Sequence, residues 1–159
     1  MYNGKHGTEK QERYMVRVMK IEDYDQIYTL WSKIKGFGIR SIDDSREGIE
    51  RFLKRNPTTS VVAEEDGKIV GAILCGHDGR RGYIYHTAIL PSYRNKGLAK
   101  QLVDCAMSAL DKEGINKVAL VAFKKNDIGN GFWEHIGFIE RDDLVYRNKN
   151  IHVLERIDT

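Results

Sequence analysis

Two spacings of apolar residues alternate along the chain from Tyr14 onward. YMVRVM, residues 14–19, predicts a strand, and Ile27, Leu30, Trp31 and Ile34 then recur at helical spacing, predicting a helix that stops at Gly36. Asp44 and Glu47 stand in capping-box spacing and predict a second helix, with Ile49, Phe52 and Leu53 turned inward and an end at Asn56-Pro57. In SVVAEEDGKIVGAILCG, residues 60–76, two β-branched-rich runs flank Asp66-Gly67, a strong two-residue hairpin signal. HDGRRG makes a second turn into YIYHTAIL, a strand expected to set Tyr83, Tyr85, Thr87 and Ile89 on one face and Ile84, His86, Ala88 and Leu90 on the other. A helix from Lys96 to Glu113, closed by Gly114, comes next. KVALVAF (117–123) reads as a buried-type strand, NDIGNGFWEHIG (126–137) as a shorter helix, and FIER (138–141) and NIHVLERI (150–157) as terminal strands.

This order predicts an α/β fold of one domain, with a mixed, mostly antiparallel sheet flanked by helices. No repeat or low-complexity linker divides the 159 residues, and the only prolines, Pro57 and Pro91, sit at element ends. The domain is expected over 14–159, preceded by a flexible polar tail over 1–13, MYNGKHGTEKQER, which lacks the apolar stretch of a signal peptide. No apolar run approaches the roughly 20 residues of a membrane span. Cys75 and Cys105 fall in a strand-like and a helix-like run, which fits reduced thiols and a cytoplasmic setting. Net charge is +3, from 26 Lys plus Arg against 23 Asp plus Glu, which suits an anionic ligand but carries no nucleic-acid signature. The five histidines, His6, His77, His86, His135 and His152, show no metal-ligand spacing with one another or with the cysteines.

One stretch carries more than fold. In LPSYRNKGLAKQLVD, residues 90–104, a strand end and a proline lead through three cations and a lone glycine into a helix. The first N–H groups of a helix lack intrahelical partners and the helix dipole favours an anion there. Gly97 lets an anion approach the backbone, Ala99 avoids crowding, and Arg94, Lys96 and Lys100 add charge-assisted donors. A pyrophosphate is the natural guest. The ATP loop G-x-x-x-x-G-K-[ST] is absent, and no G-x-G-x-x-G dinucleotide fingerprint follows the first strand.

Arg94-Asn95-Lys96-Gly97-Leu98-Ala99 resembles the acetyl-CoA motif, Gln/Arg-x-x-Gly-x-Gly/Ala, of the GCN5-related N-acetyltransferase (GNAT) family. HTAILPSYR resembles that family's fourth strand and NGFWEHIGF (130–138) its late-helix signature, and the element order agrees from Tyr14 onward. The GHDGRRG turn is similar to that of small bacterial members. The resemblance implies the GNAT, or acyl-CoA N-acyltransferase, fold, with acetyl-CoA as cosubstrate and no metal. It implies a pantetheine arm lying between the strands 83–90 and 117–123, backbone contacts from Ala88 and Ile89, pyrophosphate held by Asn95 to Lys100, and Asn126 and Trp133 beside the cofactor.

The implied reaction is direct acetyl transfer from the thioester to a primary amine, a protein N-terminus or a small amine, with the Ile89 N–H as oxyanion donor. Candidates for the proton acceptor are His86, Tyr85, Glu64 and Glu65, with His86 favoured because its ordinary pKa lies near neutrality. Trp133 departs from the family, standing where many members have a tyrosine that protonates the leaving thiolate; water or Tyr146 is the substitute. The rival reading is a noncatalytic acyl-CoA-binding sensor. Asp43, Asp44, Asp142 and Asp143 are acids that could attract a cationic acceptor, and the late strands leave an edge that a second copy, as a homodimer, could cover.

Overall fold

The computed structural model describes residues 14–34 and 36–157; the polar tail expected over 1–13 lies outside them. The Asp66-Gly67 signal is realised as a two-residue turn with both residues at positive φ, 48° and 78°, joining β2 (Val61–Glu65) to β3 (Lys68–His77). With β1 (Met15–Val18), β4 (Gly82–Ile89) and β5 (Val118–Leu120) these form one sheet in the order β1-β2-β3-β4-β5. Every pairing is antiparallel except β4 with β5, which is parallel. The sheet is therefore mixed and mostly antiparallel, as expected.

Among the described residues four α-helices cover it: α1 (Tyr24–Ser32), α2 (Arg46–Arg55), α3 (Leu98–Lys112) and α4 (Asp127–His135). Helix α1 buries Ile27, Leu30 and Trp31, the residues its periodicity selects, and α3 buries Leu98, Leu102, Val103, Ala106 and Leu110. Gly71 lets α3 pack close to the sheet: a Cβ there would stand 2.8 Å from Ile89 Cδ1 of β4 and 3.2 Å from Leu102 Cδ1 of α3. Among the described residues no helix is long and apolar enough to cross a membrane.

Three expectations are corrected. Helix α2 starts one residue later than its capping box suggested: Ser45, not Asp44, is the N-cap, its Oγ accepting from Gly48 N at 3.0 Å. Asp44 is unavailable for that role because its carboxylate accepts from the Arg40 N–H and bonds His86. Strand β5 is three residues rather than seven and is not buried; Val121 and Phe123 are exposed. The terminal strands do not form among the described residues, where the C-terminal stretch makes a single isolated bridge, Arg40 with Arg156.

The second and third corrections share a cause in β4. Its register with β3 slips between Ile73 and Cys75, so that Tyr85 and His86 together stand opposite Leu74. This bulge bends β4 away from β5, and their pairing ends at Ile84 and Leu120. Beyond that point β5 has neither β4 on one side nor a partner on the other, and a strand without a ladder leaves its backbone to solvent.

Candidate active site

The bulge also breaks the expected two-face alternation. Tyr85 packs edge-on against Phe52 of α2, ring centroids 5.5 Å apart, and its neighbour His86 packs against Trp31 of α1 at 4.8 Å. Successive side chains thus share the face covered by α1 and α2, where strict alternation would separate them.

His86 is held on every side. Its ring lies 4.8 Å from both Trp31 and Phe37, and its Nε2 is 2.8 Å from Asp44 Oδ1. Asp44, only 4% exposed, also accepts from Arg40 N at 2.8 Å, and its carbonyl accepts from the Tyr24 hydroxyl at 2.7 Å. A carboxylate oxygen accepts from an N–H, so the contact sets Nε2 as the donor, and in the neutral imidazole Nδ1 is then the acceptor. Asp44 is therefore an orienting group inside the protein, not a surface acid.

Tyr83 and Tyr85 stack in a tilted pair 4.6 Å apart. Burial, then Tyr146 and Tyr85, pushes the Tyr83 phenol up to about 12; burial, then Asp43 and Tyr146, raises that of Tyr85. Both are neutral phenols at pH 7, able to donate a hydrogen bond and unable to serve as bases. Tyr146 thus reaches this cluster from the irregular C-terminal segment. Glu64 and Glu65 are committed elsewhere, Glu64 to Arg17 at 2.7 Å and Glu65 to the Tyr93 hydroxyl.

Past the bulge, β4 borders an open cleft. Leu90 N donates to Val70 O at 2.9 Å, so antiparallel alternation turns the backbone groups of Leu90 and Ala88 toward β3 and those of Ile89 and Thr87 toward the side β5 has vacated. Thr87 has a buried hydroxyl without a hydrogen-bond partner.

At the end of β4 the chain enters α3 through a strained loop. Asn95 and Gly97 both adopt the left-handed conformation, φ 62° and 77°, and Gly97 is the N-cap. The first intrahelical bond runs from Gln101 N to Gly97 O, leaving the N–H groups of Leu98, Ala99 and Lys100 without helical acceptors. A Cβ on Gly97 would meet nothing within 4 Å, so the approach to these donors is open. Arg94, Asn95, Lys96 and Lys100 are exposed, while the Leu98 side chain belongs to the core. Lys96 lies 5.5 Å over the Tyr93 ring and Lys100 bonds Asp104 at 2.6 Å; both contacts lie at the surface, where exchange for an anion costs little. An open helix N-terminus of this kind fits a pyrophosphate.

The late helix carries the two remaining residues that the resemblance singled out. Asn126 caps α4, its Oδ1 accepting from Gly129 N at 3.0 Å, and Trp133 packs edge-on against Phe132 and Phe138 at 5.0 and 5.2 Å. Among the described residues no group of three or more His, Cys, Asp or Glu could hold a metal ion.

The profile of the "Acetyltransferase (GNAT) family" matches residues 24–138, most of the chain, including β4 and the start of α3. The chain belongs to the GNAT acetyltransferase family. A relative, acetyltransferase SG1711 of Sodalis glossinidius (strain morsitans), is 30% identical over 136 residues, covering 86% of this chain and 94% of that protein. Among solved structures, the aminoglycoside acetyltransferase AAC(6')-Iy with a bisubstrate analogue, CoA-S-monomethyl-acetylneamine, superposes with a TM-score of 0.68 at 19% identity over 86% of this chain and 98% of that one. The NatC complex bound to Gag peptide and CoA superposes at 0.69 with 22% identity, over 81% and 86%. At these identities the two structures share the GNAT fold with this chain. As a GNAT member, the protein is an enzyme of acetyl-CoA-dependent acetylation, an N-acetyltransferase.

Proposed function

We propose that the enzyme transfers acetyl directly from acetyl-CoA to a primary amine, a protein N-terminus or a small amine, that approaches from the α1–α2 side of β4. The observation that carries this reading is the end of the β4·β5 ladder at Ile84 and Leu120, which frees the Ile89 N–H beside an open helix N-terminus. In this reading Arg94 and the backbone of Asn95 to Lys100 hold the pyrophosphate. The Ile89 amide donates to the thioester carbonyl and stabilises the oxyanion that forms as the amine nitrogen bonds to the acetyl carbon. The flank of β4 vacated by β5 receives the pantetheine as an added strand would be received. Ala88 lines that flank without offering its N–H.

The amine must lose a proton, and His86 Nδ1 is the acceptor we assign, with Asp44 orienting the ring through Nε2. An α-amine of pKa about 7.7–8.0 gives up its proton more readily than a lysine side chain at about 10.4, and is the easier acceptor. The phenols of Tyr85 and Tyr146, together with Asp43, supply hydrogen bonds and a negative potential for the incoming ammonium. The thiolate of CoA leaves with a pKa near that of a cysteine, about 8.5, so water can protonate it without a tyrosine at position 133. Both cysteines are free thiols, Cys105 exposed, which supports a cytoplasmic setting.

The test is turnover. The chain is incubated with acetyl-CoA and, separately, a peptide with a free N-terminus, the same peptide blocked there but bearing lysine, a polyamine and an aminoglycoside. Free CoA thiol and the acetylated product mass are followed. A product with at least one of these amines, and release of one CoA per product, is the expected result. A second reading, the noncatalytic sensor, draws on Trp133, packed between Phe132 and Phe138 where the family commonly has tyrosine. Acetyl-CoA binding with no turnover on any amine would establish it instead.

A further inference from the structure

One hydroxyl of β4 has no use within the fold. Thr87 Oγ1 is closed to solvent and makes no hydrogen bond, although the residue as a whole is only partly buried. Thr59 and Ser60, also buried, are matched: both hydroxyls donate to Cys75 O, at 2.6 and 3.0 Å. A buried polar group without a partner destabilises the chain that carries it, and native structures hold few of them. A valine would fill the same space with no polar group left unmatched.

The register of β4 places this hydroxyl. Residues directly opposite in an antiparallel pair share a face of the sheet, and Gly71 stands against Ile89 and Ile73 against Thr87. At Gly71 the side chains of Leu98 and Leu102 close over the sheet, so this is the face covered by α3, and Thr87, two residues before Ile89, lies on it. His86 is turned to the opposite face, against Trp31 of α1. The Thr87 backbone N–H and C=O meanwhile turn to the flank that β5 vacates beyond Ile84 and Leu120. A guest lying along that flank passes the Thr87 side chain on the α3 side. One staggered step about χ1 exchanges its γ-methyl and its hydroxyl, which brings the oxygen to such a guest.

We propose, on the reading that the pantetheine arm lies along the flank vacated by β5, that Thr87 is a cofactor-binding residue whose hydroxyl hydrogen-bonds an amide of that arm. A hydroxyl can donate to an amide carbonyl or accept from an amide N–H, so either group of the pantetheine satisfies it. The partner is the cofactor rather than the acceptor amine, because the amine's side of β4 is the opposite face, where His86 lies. The free enzyme carries an unmatched hydroxyl, and the complex matches it.

Calorimetric titration and thermal unfolding of the parent, Thr87→Val, Thr87→Ser and Thr87→Ala test this. Thr87→Val is expected to weaken acetyl-CoA binding about 2- to 12-fold, the worth of one neutral hydrogen bond, and to leave unchanged the binding of adenosine 3',5'-bisphosphate, which lacks the pantetheine. Without ligand the same variant is expected to unfold at the parent's temperature or a few degrees above it, since it no longer buries an unmatched hydroxyl. A ligand-free valine variant less stable than the parent would mean that the hydroxyl is matched inside the fold and would overturn the proposal. Where the valine variant does not fold, serine and alanine decide. Both lack the methyl and differ in the hydroxyl alone, and serine is expected to bind acetyl-CoA about 2- to 12-fold more tightly than alanine. Equal affinity for acetyl-CoA with and without the hydroxyl, or equal weakening toward acetyl-CoA and the bisphosphate, would remove Thr87 from the site while the cofactor reading stands. A parent enzyme that fails to bind acetyl-CoA would instead overturn that reading, and the role of Thr87 with it.

Discussion

Strands β3 and β5 lie two positions apart in one sheet and differ in nearly every respect. β3 has ten residues, eight of them buried, with a ladder on each side and helices over both faces; β5 has three residues, none buried, and a ladder on one side only. The contrast divides the molecule. From β1 to β4 side-chain ties cross the fold: Arg17 bridges Asp23 and Glu64, and Gln26 ties α1 to the hairpin through Gly67 O and Ile69 N. From the β4 bulge onward, backbone donors and apolar side chains face outward. One half supplies rigidity, and the other keeps the unspent hydrogen-bonding capacity that acetyl-CoA and an acceptor require.

The largest effect should come from attacking the closed half. Trp31 is fully buried and walls His86, so Trp31→Ala should cost about 3–5 kcal/mol. At about 2–4 °C per kcal/mol for a chain of this size, the melting temperature should fall by roughly 10 °C. Ile128→Ser, on the exposed face of α4, should stay within about 0.5 kcal/mol of the parent in the same thermal scan.

A smaller effect, confined to the open half, is expected at the helix N-terminus. Arg94→Ala should weaken CoA binding about 10- to 100-fold, the worth of one charge-assisted hydrogen bond of about 1.5–3 kcal/mol, without moving the unfolding midpoint of the ligand-free protein. Titration calorimetry with acetyl-CoA and desulfo-CoA reads both arms, and equal weakening for the two would place the loss at the phosphates.

Asp44→Asn sits on the border between the halves. It should lower stability by about 1–3 kcal/mol, because a buried acceptor of two donors is altered. It should also lower kcat for the amine with KM for acetyl-CoA unchanged, since the His86 ring loses its fixed tautomer. Steady-state kinetics with each substrate varied in turn separates the two parameters.

The subtlest prediction concerns alkaline pH. The Tyr83 phenol titrates near 10 when unfolded and near 12 when folded, so between those values the native state binds the extra proton and stability falls as pH rises. Below about pH 10 the group contributes no slope. Tyr83→Phe should flatten the decline of the denaturation midpoint between pH 10 and 12 and leave it unaltered at pH 7.

The sequence carried the closed half well because local chemistry decides it. The Asp66-Gly67 turn and the spacing of Ile27, Leu30 and Trp31 each act within a few residues, and each appears where expected. The open half was less legible. A β-bulge leaves no mark in a run such as YIYHTAIL, yet it put Tyr85 and His86 on one face and shortened β5. Strand propensity in NIHVLERI says nothing about whether an edge exists to receive it. His86 and Asp44 were each singled out, but their pairing across 42 residues follows only from the packing of Trp31 and Phe37 around the ring. Thr87 lies in HTAILPSYR, but the burial of its hydroxyl follows only from the packing.

The central claim is that the vacated flank of β4 and the first turn of α3 together bind acetyl-CoA. Amide hydrogen exchange, followed residue by residue with and without saturating acetyl-CoA, tests it directly. New protection should appear at Ile89 and at Leu98, Ala99 and Lys100, and should be absent at Ala88, whose N–H is already turned to β3. Unchanged exchange at Ile89 and the α3 N-terminus, with acetyl-CoA bound or failing to bind, would contradict the account.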